Sequence, residues 1–463
     1  MSRSTRRDFL KHSVVAGASA AFTAASWSRV YGANDKLNIA SVGPGGKGWS
    51  DLTETTKSPH VNVVALCDID ESTNFLGRAA EKFPAAKKFF DYRKLLDDAN
   101  AKTFDAIIVS TPDHMHAPIS LPAMQLGKHV HCQKPLTHTV HEARQMRLAA
   151  KKYNVVTQMG NQIQSHEFYR TAVKLVHDGA IGKVKEVYSW QSGAMGWMLA
   201  DDRPAGEDPV PATLHWDEWL GVAPTRPYVG KFPRGEVAAG KNDERKYLYH
   251  DFNWRAWQDF SNGQLGDFGC HILDPVFMAV KLTSPTSVFA DAPKLNKEVW
   301  ARWSKVIYEF PGTELTGGKP ITVTWFDGEG HKPANDLVGV PVGFQLPGSG
   351  SVIVGEQGSL LIPHVAPPKL FPEDKFADFK IEKVPARDHY VSWADACRGE
   401  GHTTSLFDYS GPLTETVLLG TIAIRLPAQT LRWNTAELKF ANNDKATALL
   451  TKPYRKGFEP KWL

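Results

Sequence analysis

Residues 37–48 read LNIASVGPGGKG, a short apolar run that ends in a loop with four glycines. Gly43, Gly45 and Gly48 follow the GxGxxG spacing, and Gly46 lies between them. Glycine suits this loop because the turn needs unusual backbone angles, and a diphosphate can approach a helix N-terminus only where no Cβ intrudes. The stretch therefore predicts the first strand and loop of a dinucleotide-binding Rossmann unit.

An acidic residue follows the next predicted strand, roughly 20 residues beyond the glycine loop, as a dinucleotide site requires. Asp68 comes directly after the apolar run Val61–Cys67. A carboxylate there can accept hydrogen bonds from both hydroxyls of the adenosine ribose, and it repels a 2′-phosphate. Asp68 could instead cap the following helix, although Asp70 or Ser72 could fill that role. Together with the glycine loop, Asp68 favours NAD over NADP as the cofactor.

Between residues 36 and 160, short β-branched runs alternate with amphipathic stretches, a pattern typical of βαβ units around a parallel sheet. The predicted strands are Leu37–Val42, Val61–Cys67, Ala106–Ser110, His129–Cys132 and Val155–Gln158. The predicted helices are Ser72–Lys82, Tyr92–Asn100, Ala117–Leu126 and Val140–Tyr153. We therefore expect a doubly wound Rossmann domain over residues 36–160.

The pattern changes after residue 160. Tryptophans become dense, and we expect one or two of these rings to be platforms for a sugar face while the others pack in the core: Trp190, Trp197, Trp216, Trp219, Trp254 and Trp257. Alternating segments then predict a large, mostly antiparallel sheet: Val288–Asp291, Val306–Phe310, Ile321–Phe326, Val352–Val354, Leu360–Ile362 and Glu437–Phe440. With a helix over Leu413–Arg425, residues 161–440 form a predicted α/β substrate domain, and 441–463 a C-terminal tail.

The N-terminus has the pattern of an export signal. Residues 5–11 read TRRDFLK and precede the weakly hydrophobic run Val14–Ala25, which is typical of a twin-arginine signal. A membrane anchor is the alternative, but the run is too short to span a bilayer comfortably. We expect residues 1–33 to be recognised by the twin-arginine export machinery and removed, so that the protein is periplasmic or secreted with no stable membrane span.

Charge and cysteine content restrict the partners. Residues 1–33 carry five basic residues and one acidic residue, so their removal takes the net charge from +4 to zero. A nucleic-acid partner is therefore not expected. The four cysteines show no metal-ligand spacing and are interpreted as buried free thiols.

Two further segments fall at the carboxyl ends of predicted parallel strands, where ligands of open α/β sheets bind. One is STPDHMH, residues 110–116, and the other is CQKP, residues 132–135. Lys134, fixed by the following proline, is a candidate functional cation in the second segment. A solvated loop charge is the alternative for that lysine.

The second half contains one stretch with evident chemistry, NGQLGDFGCHILD over residues 262–274. If it is helical from Gly266, then Asp267 and His271 stand at i and i+4, and Asp274 can share their face. A metal site is one interpretation, but three ligands from one helix rarely surround an ion and no fourth donor is evident. A general acid/base histidine oriented by Asp267 is another, and a capping aspartate beside a core histidine is the third.

With these motifs in this order, residues 36–440 resemble the Gfo/Idh/MocA oxidoreductases. Exported members carry similar twin-arginine signals, and the likeness extends to Phe252-Asn253-Trp254-Arg255 and to GEQGSLLI at residues 355–362. The family has a glutamate before its Lys-Pro pair, whereas this chain has Gln133, which keeps the shape and loses the charge. The resemblance implies the following cofactor-site residues: Gly43, Gly45, Gly46, Gly48, Asp68, Thr111, Pro112, His116, Gln133 and Lys134.

The resemblance also implies hydride transfer between NAD and a sugar carbon that bears a hydroxyl. Lys134, Asp267 and His271 would be the catalytic residues: His271 takes the hydroxyl proton, Asp267 orients the imidazole, and Lys134 stabilises the developing charge on oxygen. The candidate substrate-binding residues are Asn161, Gln162, Trp254 and Arg255, with His116 also considered. No metal is expected.

Export adds an expectation about the cofactor. Because free NAD should be scarce outside the cytoplasm, we expect a tightly held cofactor and a redox-neutral cycle, which could support epimerisation or glycoside cleavage through a transient keto-sugar. A sugar-binding protein that has lost the chemistry is the alternative from another class, and Gln133 slightly favours it. The family also implies a homo-dimer or homo-tetramer.

Overall fold

The computed structural model describes residues 36–193, 203–230, 248–328 and 330–459. The predicted signal over residues 1–33 and Trp197 therefore lie outside the described residues. Within the described ranges, no helix is both long enough and apolar enough to cross a membrane.

A six-stranded parallel sheet forms the first half, which confirms the predicted Rossmann architecture. Its strand order is β3-β2-β1-β4-β5-β6. The strands are β1 Leu37–Val42, β2 Val61–Cys67, β3 Lys87–Phe89, β4 Ala106–Val109, β5 His129–Cys132 and β6 Thr157–Met159. The short strand β3 was not predicted, since its two consecutive lysines lack the β-branched signature of its neighbours.

Six helices connect these strands: α1 Gly46–Thr55, α2 Leu76–Lys82, α3 Tyr92–Leu95, α4 Asp98–Ala101, α5 His116–Gln125 and α6 Val140–Lys152. The predicted helix Tyr92–Asn100 is in fact α3 and α4. The break occurs because the side chain of Asp97 accepts a hydrogen bond from Asn100 N and starts a new helix. Helix α6 begins with a capping box formed by Thr139 and Glu142.

A nine-stranded sheet forms the second half, with the order β13-β12-β11-β7-β10-β9-β8-β14-β15. Every pairing in it is antiparallel except that of β7 with β10, so the predicted mostly antiparallel sheet is confirmed. Its strands are β7 Val184–Gln191, β8 Ser287–Asp291, β9 Ser304–Phe310, β10 Ile321–Asp327, β11 Ser349–Gly355, β12 Ser359–Pro363, β13 Lys369–Phe371, β14 Leu431–Asn434 and β15 Lys439–Phe440.

The helices of the second half connect the two sheets. They are α7 Glu167–His177, α8 Trp216–Leu220, α9 Gly263–Ile272, α10 Asp274–Val280, α11 His389–Cys397, α12 Phe407–Arg425 and α13 Asp444–Ala448. Helix α11 packs on the parallel sheet, where Trp393 shares a buried cluster with Leu37 and Ile39 of β1. The C-terminal residues are also packed, since Leu450 and Phe458 are buried in the main core. All four cysteines are buried free thiols.

Candidate active site

A single large cavity brings most of the predicted site residues together. Its volume is about 760 Å³, within the range of ligand pockets, and it lies where the carboxyl ends of β1, β2, β4 and β5 face helix α9. The predicted residues that line it are Gly43, Gly45, Gly46, Asp68, Thr111, Pro112, Gln133, Lys134, Gln162, Trp254, Arg255, Asp267 and His271. Of the tryptophans considered as platforms, Trp219 and Trp254 are in its wall.

The glycine loop has the shape that a diphosphate needs. Gly43 adopts a φ of +73°, and a Cβ on Gly48 would lie 1.8 Å from Gly43 O, so these two glycines let the loop close on the start of α1. A Cβ on Gly46 would meet nothing within 4 Å, because this residue faces open space at the helix N-terminus. The loop thus leaves an open approach to the N–H groups that begin α1, where phosphate oxygens bind well.

Asp68 lies beside this loop with its carboxylate facing inward. It accepts hydrogen bonds from Gly45 N at 3.4 Å and Asp70 N at 3.1 Å. Burial raises the pKa of Asp68 to about 6, against hydrogen bonds that lower it. The side chain is therefore an acceptor at neutral pH and is placed to receive hydroxyl donors from a ribose.

Rings surround the end of the cavity near Asp68. They come from four separate parts of the chain: Phe75, Phe90 and Tyr92, Trp219, His250 and Phe458. His250 is held by Asp70, whose Oδ2 lies 3.0 Å from His250 Nε2. Except for Trp219, sequence reasoning missed these residues because no local motif marks them, and they converge only through the tertiary fold.

At the opposite end, Asp267 pairs with two cations. Lys134 Nζ donates to Asp267 Oδ1 at 2.7 Å and to Asp267 O at 2.8 Å. Arg255 Nε lies 3.3 Å from the same carboxylate oxygen, and its guanidinium stacks between the rings of Phe252 and Trp254. Although burial alone would raise the pKa of Asp267, Lys134 and Arg255 hold it well below its ordinary value. The cluster carries a net positive charge.

His271 is a neutral imidazole on the same helix. Burial, with the charge of Lys134 nearby, lowers the pKa of His271 well below its ordinary value. Its Nδ1 has no hydrogen-bond partner among the residues that the structure describes. The predicted orientation of the ring by Asp267 is therefore wrong for this structure, because the Asp267 carboxylate is engaged by Lys134 and Arg255 instead.

Three other expectations are corrected by the geometry. His116 is buried and is not among the residues that line the cavity; its ring nitrogens lie 2.7 Å from Thr111 O and 2.8 Å from Pro135 O, so it braces two loops. Asn161 is fully buried, and its Oδ1 accepts from Ser405 Oγ at 2.6 Å, which keeps it off the cavity surface. Asp274 leaves the Asp267 face because Gln164 and Tyr409 donate to it.

Several polar atoms in the cavity wall remain available to a ligand. Thr111 Oγ1 and Gln162 Oε1 are two of them, since both are buried and neither hydrogen-bonds to another described residue. Because buried polar groups are nearly always paired in native proteins, unpaired atoms in a cavity wall indicate ligand partners.

In the same described ranges, no group of three or more His, Cys, Asp or Glu residues could hold a metal ion.

These features fit a nicotinamide dinucleotide. The loop of Gly43, Gly45 and Gly46 fits the diphosphate, and Asp68 fits the adenosine ribose. The opposite end of the cavity contains Thr111, Gln133 and Lys134, next to Asp267 and His271. The fold and site thus define a dinucleotide-binding protein with a second domain that completes the cavity.

Comparison with known protein families also indicates a dinucleotide-binding protein. Residues 37–161 match the model of an oxidoreductase family with an NAD-binding Rossmann fold, and residues 169–319 match the C-terminal α/β domain of the same family. The chain belongs to the Gfo/Idh/MocA oxidoreductase family.

Individual relatives match only in part. The chain is 33% identical to levoglucosan dehydrogenase of Pseudarthrobacter phenanthrenivorans over 175 residues, which cover 38% of this chain and 40% of that protein. It is 33% identical to a glycosyl hydrolase family 109 protein of Stenotrophomonas maltophilia over 140 residues, or 28% of this chain and 29% of that one. The matches thus span well under half the length of these curated relatives.

The fold is also found in solved structures. The WlbA dehydrogenase from Bordetella pertussis, solved in complex with NADH and UDP-GlcNAcA, superposes with a TM-score of 0.56 at 15% identity. The superposition covers 86% of this chain and 99% of that one. At this identity the likeness establishes the fold.

Proposed function

We propose that this protein is an NAD-dependent oxidoreductase that transfers hydride at a hydroxyl-bearing carbon of a sugar or sugar derivative. The observation that carries the proposal is the cluster of Lys134, Asp267 and neutral His271 in the same cavity as the glycine loop and Asp68. The nicotinamide, when bound, supplies the hydride acceptor or donor. The chain's own residues must then manage the proton and the charge on the substrate oxygen.

The charge distribution suits that task. His271 is neutral because burial lowers its pKa, so its unprotonated ring nitrogen can accept the hydroxyl proton. Lys134 is fixed by Asp267 and can hydrogen-bond the substrate oxygen as negative charge develops there. Asp267 orients Lys134 and Arg255, which is a different role from the one the helical spacing predicted.

We also propose that NAD is held tightly and that the catalytic cycle is redox-neutral. The C-terminal clamp, residues 452–458, supports tight retention because it closes the cavity at the Asp68 end. Arg455 Nε donates to Gly221 O at 2.8 Å next to α8, and Phe458 lines the cavity. The guanidinium of Arg93 lies 4.3 Å from the Phe458 ring and fixes it from outside.

Phe458→Ala is expected to speed the loss of bound NAD about tenfold, since removal of a buried ring opens this wall at a cost of about 1.5 to 3 kcal/mol. The measurement is the nucleotide remaining on the purified holoprotein during dialysis. Phe379→Ala is the matched control, because that ring is partly exposed and lies outside the cavity. Equal retention in Phe458→Ala and the unmodified protein would contradict a clamp.

NAD retention should also depend on pH through Asp68. The carboxylate form accepts the ribose hydroxyls, and burial raises the pKa of Asp68 to about 6. Retention is therefore expected to be constant above pH 6 and to weaken by up to about tenfold per pH unit below it. Dialysis rates between pH 5 and pH 8 measure this, and Asp68→Asn should show weak retention with no such dependence. A flat profile in the unmodified protein would contradict the assignment.

A second candidate function is glycoside cleavage or epimerisation through a transient keto-sugar. The relative named as a glycosyl hydrolase family 109 protein favours it. A sugar-binding protein without chemistry is the remaining alternative.

A panel of free sugars, glycosides and anhydrosugars added to the purified holoprotein tests these functions. A rise in the absorbance of reduced nicotinamide supports the oxidoreductase. Product analysis then separates oxidation from epimerisation and glycoside cleavage. Binding of sugars without any absorbance change or product would contradict the proposed function and favour the inactive alternative.

Export and assembly complete the proposal. We propose that residues 1–33 direct the folded, NAD-loaded protein through the twin-arginine machinery to the periplasm or exterior, and that it assembles as a homo-dimer or homo-tetramer. The sequence TRRDFLK supports export. Fractionation of expressing bacteria tests the cellular location, and a variant with Arg6 and Arg7 replaced by lysine is the control. Light scattering tests the oligomeric state.

A further inference from the structure

A buried carboxylate outside the predicted site lies under the cofactor end of the active site. Asp51 is fully buried in helix α1, one turn after Lys47. Its oxygens accept hydrogen bonds from Ser110 Oγ at 2.7 Å, Tyr390 OH at 3.1 Å and Gln133 Nε2 at 2.8 Å, and it also pairs with Lys47. Although burial alone would raise the pKa of Asp51, the charge of Lys47 and the hydrogen bonds from Lys47 and Ser110 hold it below its ordinary value.

The hydrogen bond from Gln133 to Asp51 requires a donor at position 133. The Gln133 amide is itself buried and has little room to move, because a Cβ on Gly160 would lie 2.3 Å from its Nε2. A glutamate at position 133 would therefore place a second carboxylate against Asp51, and like charges at this distance cannot both remain ionised. The amide is the side chain that donates to Asp51.

The four donors come from four different segments. Lys47 is in the glycine-loop helix and lines the cavity, and Tyr390 is in α11 from the second half. Ser110 immediately precedes Thr111, and Gln133 immediately precedes Lys134. Asp51 is thus hydrogen-bonded to the residues directly before a cavity-wall threonine and before the central lysine of the cluster.

We propose that Asp51 is a positioning residue that holds Lys134 and the cofactor loops in place through Gln133, Ser110 and Lys47. The inference rests on the proposed function for its catalytic consequence. Its structural consequence, that the charges at positions 51 and 133 are coupled, stands independently.

A charge exchange between the two positions tests this. Gln133→Glu should slow cofactor reduction by sugar about 100-fold and speed NAD loss, because the repelled side chains displace Lys134. Adding Asp51→Asn restores one amide and one carboxylate, so the double variant should recover at least about tenfold relative to Gln133→Glu in both measurements. The slowing is expected in the rate of reduction, with sugar affinity little changed.

Gln158→Glu is the matched control. Gln158 is an equally buried amide on the neighbouring strand β6, where it donates to His389 O at 2.7 Å and not to Asp51. Asp51→Asn should not rescue Gln158→Glu. If Gln133→Glu does not fold, the double variant still tests whether the two charges are coupled. Coupling predicts that the double variant folds and holds NAD.

Two results would overturn the proposal: Gln133→Glu that matches the unmodified protein in reduction rate and NAD retention, or a double variant no better than Gln133→Glu. NAD retention and thermal unfolding of the unmodified protein and the four variants report on the coupling even if no sugar reduces the cofactor. Failure of the proposed function would therefore be distinguishable from failure of this inference.

Discussion

Alanine at Lys134 or at His271 is expected to slow reduction of the bound cofactor by sugar by at least about 10³-fold. Lys134→Ala removes the cation that meets the developing charge on the substrate oxygen, and His271→Ala removes the neutral base. Rapid-mixing measurements of nicotinamide absorbance give the rate directly, without a contribution from product release.

The fold should survive both changes. After Lys134→Ala, Asp267 keeps its contact with Arg255, so no buried carboxylate is left without a cation. Lys128→Ala is the control, since Lys128 donates to Phe104 O at 2.8 Å and lies outside the cavity. Near-normal reduction in either active-site variant, with NAD still bound, would remove that residue from the mechanism.

Gly48→Ala is expected to abolish NAD binding and to destabilise the first domain. The added Cβ would lie 1.8 Å from Gly43 O, and this backbone contact can be relieved only if the loop opens. Overpacking of this kind costs about 1 to 3 kcal/mol and occasionally more. Nucleotide content after purification and the thermal unfolding midpoint measure the two effects.

Gly411→Ala provides the comparison for Gly48→Ala. Gly411 lies in helix α12, where an added Cβ would lie 3.3 Å from Arg147 Cβ, a much looser contact than the one at Gly48. We expect it to bind NAD normally, since alanine also favours a helix. A Gly48→Ala protein that retains NAD would show that the loop does not form the diphosphate site.

The first half of the fold follows from local signals in the sequence. Leu37–Val42 and Val61–Cys67 form strands at the predicted residues, because their β-branched runs are buried on both faces of a parallel sheet. The glycine spacing and Asp68 could also be recognised from the sequence. Both act within a single βαβ unit, whose geometry is fixed by sequence distance.

Contacts between distant segments could not be predicted in this way. The i,i+4 spacing places Asp267 and His271 on one face, but it does not show that Lys134 and Arg255 would engage the carboxylate. His116 and Asn161 have the residue types of a site, yet Thr111, Pro135 and Ser405 satisfy them inside the protein. Asp51 is an ordinary helical aspartate in sequence, and its role arises only when four remote segments meet.

In the proposed reaction, this cavity transfers hydride from a sugar to a cofactor that stays bound. The most direct test uses a sugar that reduces the holoprotein, labelled with deuterium at the carbon that loses hydride. After the first half-reaction, before the hydride is returned, the cofactor is released by denaturation and analysed by mass spectrometry. We predict one deuterium on the nicotinamide ring and none in solvent. Deuterium retained on an unchanged sugar, or lost to water, would contradict hydride transfer.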